Sequence, residues 1–191
     1  MISSMPDRTK TIVINTTPLI ALTAATGSLD VLRNLYVRVV VPYEVAEEIR
    51  VGGKDAFGLE VFEQASWLEI RQNQVALLPY LQNSLDRGEA SVIQTAIQES
   101  IELVCIDEVV GRRVARLSKL NLTGSIGILL KAKAMGYPFE ISEAIKRMRG
   151  RGIWLSDSVV RFALEQGGNN EQFSPEVSPE ERQAGVARSR A

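Results

Sequence analysis

The sequence predicts an α/β domain built on a parallel sheet, and three observations carry that prediction. Short apolar, β-branched runs recur along the chain as "TIVIN", "VRVVVP", "WLEIR" and "ELVCID". The segments between them place apolar residues at helical steps, the alternation that yields strand–helix–strand units. Polar oxygens stand just beyond several of the runs, where open α/β sheets place their ligands.

The first strand, over 11–15, breaks into a polar turn of Asn15, Thr16 and Thr17 before Pro18 opens an apolar helix. The second strand, "VRVVVP", feeds a short acidic helix, "PYEVAEEIR". There Pro42 sits where a missing N–H costs little, and the glycines of "VGG" end the helix. After "WLEIR", the spacing predicts a helix over 85–100 with Ala90, Ile93, Ala96 and Ile97 on one face. The next strand, "ELVCID", closes at Asp107. Two further helices are expected in "EVVGRRVARLSKLN" and "GSIGILLKAKAMG", another in "SEAIKRMRGRG", and a last one over 157–166. The organisation expected is an N-terminal extension over 1–10, a domain over 11–166 and a tail over 167–191. That tail is polar, rich in Gly, Asn, Ser and Pro, and predicted to be disordered.

Composition narrows the chemistry. The chain has 191 residues, of which 45% are hydrophobic, enough for one domain with a sizeable core. The first ten residues lack the apolar stretch of a secretory signal, and no apolar run reaches the roughly 18 residues of a membrane span, so a cytoplasmic location and no membrane partner are expected. Cys105 is the only cysteine and sits in an apolar run, which excludes a disulfide framework and predicts a buried thiol. The absence of histidine removes the usual general base and the usual zinc ligand. Catalysis here requires carboxylates, lysine, or a metal held by oxygen. Charge is segregated: residues 109–151 hold ten Lys/Arg against two Glu, a net of +8, leaving −9 for the remainder of a chain whose total is −1. Segregation of this kind suits a polyanion partner, and equally suits the solvated faces of helices.

Asn15, Glu48, Glu89 and Asp107 each follow a proposed strand or lie in the helix beside one. Alone, each has an ordinary reading: a turn stabiliser, a solvated helix face, a first-turn acid and an N-cap. In a parallel sheet, however, the carboxyl ends of neighbouring strands lie together and these oxygens can converge. Two carboxylates ~4 Å apart repel by roughly 4 kcal/mol at an effective dielectric of 20, so three in one cleft call for a cation. Oxygen-only ligands point to Mg²⁺ or Mn²⁺.

The segments "VINTTPLIAL", "VPYEVAEEI", "LDRGEASVI", "CIDEVVGRRVA" and "LTGSIGILLKAKAMG" resemble, in that order, the PIN-domain family, in particular the branch near the VapC-type ribonuclease toxins. The resemblance covers about residues 12–165. It implies a three-layer α/β/α sandwich and a metal-dependent ribonuclease whose acidic quartet, carried over by position, is Asn15, Glu48, Glu89 and Asp107, with Thr17 as a supporting hydroxyl. It implies an RNA substrate, a small antitoxin partner and a homodimer. Arg112 would then reach a phosphate. Arg113, Arg116, Lys119, Lys131, Lys133, Lys146, Arg147, Arg149 and Arg151 would supply sequence-independent backbone contacts. The turn "TGSIG" could offer N–H groups and Ser125 to a phosphate, or serve a tight turn and close helix packing. The sequence departs from the family at Asn15, where most active members carry aspartate. A neutral amide still coordinates a hard cation but removes one charge, which Glu108 beside Asp107 would partly offset. Two functions follow as expectations: an attenuated endoribonuclease, or a PIN scaffold with a degenerate site that binds RNA or protein.

Overall fold

The computed structural model describes residues 11–52 and 56–168. The extension expected over 1–10 and residues 169–191 of the expected tail lie outside the described residues. Five parallel strands form one sheet in the order β3-β2-β1-β4-β5, with β1 Thr11–Ile14, β2 Arg38–Val41, β3 Glu69–Ile70, β4 Leu103–Cys105 and β5 Asn121–Thr123. Helices α1 (Thr16–Thr26), α2 (Asp30–Leu35), α8 (Ser125–Ala134), α9 (Ile141–Gly150) and α10 (Asp157–Gln166) pack among themselves. Helices α3 (Tyr43–Val51), α5 (Pro79–Ser84), α6 (Arg87–Gln98) and α7 (Val109–Leu117) form the second group, α6 lying against β1 and β4. Helix α4 (Leu59–Gln64) follows α3. The result is the three-layer sandwich.

Strand β1 is central because its residues can be buried from both faces: Ile12, Val13 and Ile14 have no exposed surface. Helix α1 also buries apolar side chains all round, Leu19, Ala21, Leu22 and Ala25 included, as expected of a helix clamped between the sheet and its neighbours. It begins at Thr16, two residues before Pro18, because a proline in the first turn needs no N–H partner. Helix α6 buries Ala90, Ile93 and Ala96, but Ile97, expected on the same face, is 38% exposed where the helix runs out.

Strand β5 was not expected: its first residue, Asn121, ends the segment read as the α7 helix, and Leu122 and Thr123 fall between that segment and the next helix. The helix instead stops at Leu117, and Lys119 takes a left-handed φ of 60°, which turns the chain back to pair Asn121 with Leu103. Three residues on a sheet edge are too short for a periodic signal. The short helices α2, α4 and α5, of six residues each, were likewise not expected.

Order 3-2-1-4-5 makes the chain reverse its winding at β1. The crevice at the carboxyl ends of β1 and β4 is therefore the topological switch point, where side chains can be presented without an overlying connection. Cys105 ends β4 directly beneath this crevice and is fully buried, and burial pushes its thiol well above the ordinary range. Native protein should resist a thiol reagent and react at the rate at which it opens. A fast stoichiometric reaction without denaturant would contradict the packing of β4.

Candidate active site

Asn15 leaves β1 with its backbone N–H bonded to the Cys105 carbonyl at 3.1 Å, so the β1–β4 ladder continues one step into the turn. Its side chain is 4% exposed. Nδ2 donates to Glu108 Oε2 at 3.3 Å, and Oδ1 is buried without a hydrogen-bond partner. Glu108 is the N-cap of α7 in extended backbone, which lets its side chain reach across to β1. A neutral amide here replaces a carboxylate repulsion with a hydrogen bond.

Glu48 lies on α3 with an exposed side chain, and Thr16 donates its hydroxyl to Glu48 Oε2 at 2.7 Å. Gly88 brings the second strand turn and α6 to the same place: a Cβ there would stand 2.7 Å from Glu48 Oε2, 3.4 Å from Asn15 Oδ1 and 3.5 Å from Asp86 Oδ1. Asp86 is the N-cap of α6 and accepts the Glu89 N–H at 2.8 Å. Glu89 is 5% exposed, and its Oε1 is buried against Gly111 with no aligned hydrogen bond. Burial first, then the charges of Asp86 and Glu108, push its carboxyl up to about 7, against the smaller opposing pull of the Gly111 and Asp86 backbone.

Asn15, Glu48, Glu89 and Glu108, with Asp86 beside them, thus gather near the carboxyl ends of β1 and β4. Asp107, next to Glu108 in the chain, meets the start of α8. Its Oδ1 accepts the Ser125 N–H at 2.8 Å, so it serves the N-terminus of α8, whose own N-cap, Gly124, has no side chain to offer. Burial raises the Asp107 carboxyl, with the Ser125 hydrogen bonds opposing. One of the N–H groups of "TGSIG", that of Ser125, is donated inside the protein, and Ser125 is 2% exposed. Arg112 Nη1 donates to the carbonyls of Ile106 at 2.8 Å and Thr123 at 3.1 Å, clamping the ends of β4 and β5. Thr17 is exposed, and the hydroxyl that touches the acidic set is that of Thr16. Asp86 and Thr16 are the two contributors not singled out from sequence. The Asp86–Glu89 spacing of three, a helix-capping signature, was the legible signal for the first; nothing local marked the second.

The basic residues largely have intramolecular work. Lys133 meets Glu140 and the Phe139 carbonyl, Lys146 meets Glu143, and Arg147 donates to the Ala25 carbonyl at 2.7 Å. Lys131 and Arg151 lie over the rings of Tyr36 and Phe57, and Arg149 reaches Asp157. Arg113, Arg116 and Lys119 are exposed on α7 and the turn after it.

A PIN-domain family model matches residues 11–169. The chain belongs to the PIN-domain family. No curated protein matches it closely. PIN domains are generally nucleases that use divalent metal, and this chain supplies only hard oxygen donors. Among the described residues no three ligating side chains are grouped tightly enough to hold a metal ion as they stand. The donor set nonetheless fits one: Asn15 Oδ1 and Glu89 Oε1 are buried acceptors with no aligned hydrogen bond, and Glu48 is exposed and can swing. Among the described residues no helix is long and apolar enough to cross a membrane.

Two predictions follow from this geometry. A Gly88→Ala methyl meets the far end of a flexible carboxylate, so unfolding stability should change by less than about 1 kcal/mol while nuclease activity falls sharply, as denaturation and activity measured on one preparation would show. The Glu89 carboxyl binds its proton more tightly folded than unfolded. That contribution is complete below its ordinary value of 4.5 and lost as pH rises through about 7. In chelator-treated protein, Glu89→Gln should therefore gain about 1 to 3 kcal/mol over wild type between low and high pH, read by urea unfolding. Parallel profiles would show that Glu89 is solvated.

Proposed function

We propose that the protein is a metal-dependent endoribonuclease, the toxin of a toxin–antitoxin pair. One observation carries the reading: two buried oxygens that accept no aligned hydrogen bond, Asn15 Oδ1 and Glu89 Oε1, stand among carboxylates at the switch point of the sheet. Stranding such groups costs roughly 1–3 kcal/mol each unless something bound satisfies them.

Asn15, Glu48, Glu89 and Glu108 would hold Mg²⁺ or Mn²⁺. When bound, such an ion lowers the pKa of water and offsets charge on the scissile phosphate. The chain's own residues set the geometry. Thr16 holds one oxygen of Glu48, the Asn15 amide holds one of Glu108, and Asp86 fixes the first turn of α6 so that Glu89 points inward. Arg112 keeps β4 and β5 together beneath the turn that carries Glu108. With no histidine in the chain, carboxylates are the proton acceptors this cleft offers. Asp107 enters this scheme as the residue that seats α8, and Glu108 takes the fourth acidic position. Arg113, Arg116 and Lys119 supply backbone contacts. A small antitoxin would cap the cleft. Exposed Leu78, Tyr80 and Trp154, in the segments "VALLPYL" and "IWL", give apolar surface for a dimer or for that partner.

The test is cleavage of a panel of single-stranded and structured RNAs with Mg²⁺ or Mn²⁺. Glu108→Gln and Glu89→Gln should each lose at least about a hundredfold in rate with melting temperature held or raised. Asn15→Asp should cleave faster. Asp107→Asn should lower the melting temperature as well as the rate, because it weakens the α8 terminus. RNA bound but never cut, in wild type and in Asn15→Asp alike, would instead establish a binding module.

A further inference from the structure

A groove of about 430 Å³ opens beside the cleft, walled by Tyr43, Glu44, Glu48, Gln74, Asp86 and Arg87. It shares Glu48 with the candidate active site, yet its most unusual member plays no part there. Glu44 sits one helical turn before Glu48 on α3 and is 7% exposed. Its Oε1 accepts the Val75 N–H at 2.9 Å, which anchors the loop after β3, while its Oε2 is buried with no hydrogen-bond partner. A buried carboxylate oxygen that accepts from nothing is costly, and a groove wall is where a ligand donor can repay it.

The surroundings define the donor. Glu44, Glu47, Glu48 and Asp86 repel a phosphate, so the group that enters carries no negative charge and donates. Tyr43 contributes an aromatic ring to the wall, suited to stacking a flat heterocycle. Arg87, which donates to Gln74 at 2.8 Å, is exposed at the edge and available to the backbone of the same nucleotide. The volume lies within the roughly 300–1,000 Å³ of small-ligand sites, room for one nucleoside. A carboxylate only accepts, and guanine alone among the RNA bases presents two adjacent donors, N1–H and N2–H, on its Watson–Crick edge. Glu44 offers Oε2 and the second lone pair of Oε1. Adenine and cytosine set an acceptor nitrogen beside their amino group, and uracil flanks its imino N–H with carbonyls.

Resting on the reading of the cleft as an RNA site, we propose that this groove is a base-reading subsite that takes the Watson–Crick edge of guanine on Glu44. The test is anisotropy titration of the full-length chain in Mg²⁺ with single-stranded uridine octamers carrying one guanosine, inosine, adenosine or cytidine, alongside mapping of cleavage positions. Guanosine should bind about tenfold or more tighter than inosine, which lacks the N2 amino group, and tighter than the other substitutions. Glu44→Gln, which keeps an acceptor for the Val75 N–H and hence the melting temperature, should erase that order. Equal affinities in wild type, or an order that survives Glu44→Gln, overturns the proposal. So does a loss of Mn²⁺ affinity in Glu44→Gln with base preference unchanged, which would make the groove a cation site. The two readings separate: guanosine preference without cleavage removes the nuclease and keeps the subsite, whereas cleavage indifferent to guanosine does the reverse.

Discussion

The bond from the Asn15 N–H to the Cys105 carbonyl, 3.1 Å long, ties the ends of β1 and β4 at the one point where the sheet reverses its winding. Everything in the cleft is built out from it. It fixes where the Asn15 amide stands, and therefore where Glu108 can be held. It also sets β4 so that Ile106 can donate to Thr123 and accept from Arg112, which closes the β4–β5 side of the crevice. A sheet that met at any other pair of strands would place these oxygens under a connecting helix.

The second constraint is charge. Four carboxylates and an amide gather at the carboxyl ends of the central strands, above a largely apolar core, and the chain manages this with local devices. Asp86 caps α6, Thr16 holds Glu48, and Asn15 meets Glu108 as a donor. Asn15 thus has two consequences at once. It lowers the negative charge available to a cation, and it lets the cleft hold its shape without one. Gly88 and Gly111 complete the arrangement by leaving open the space that Glu48 and Glu89 fill. At both positions the missing side chain matters more than backbone freedom.

Asp107 and Glu108 show how adjacent acids divide their labour. The turn after β4 gives successive side chains different partners, so one carboxylate meets the start of α8 and the other meets Asn15 at the end of β1. Gly124 as N-cap leaves that helix terminus in need of an acceptor, and the nearest acid supplies it. The basic residues follow the same logic on the outer helices, where ion pairs, ring faces and carbonyl groups take up most of them.

The sequence by itself determined the α/β class, the central buried strand, the α1, α6 and α10 helices and the family, and it singled out Asn15, Glu48 and Glu89. These were legible because strand and helix periodicity and the order of the motifs are local properties of the chain. The tertiary structure alone decided which of Asp107 and Glu108 faces Asn15, that Thr16 and not Thr17 holds Glu48, that β5 closes the sheet edge, and that Glu44 is buried in a groove wall. Each of these turns on contacts between segments far apart in sequence: Thr16 with Glu48, Ser125 with Asp107, Val75 with Glu44. Neighbouring residues of like chemistry are indistinguishable in a sequence and become different only when the backbone gives each a direction.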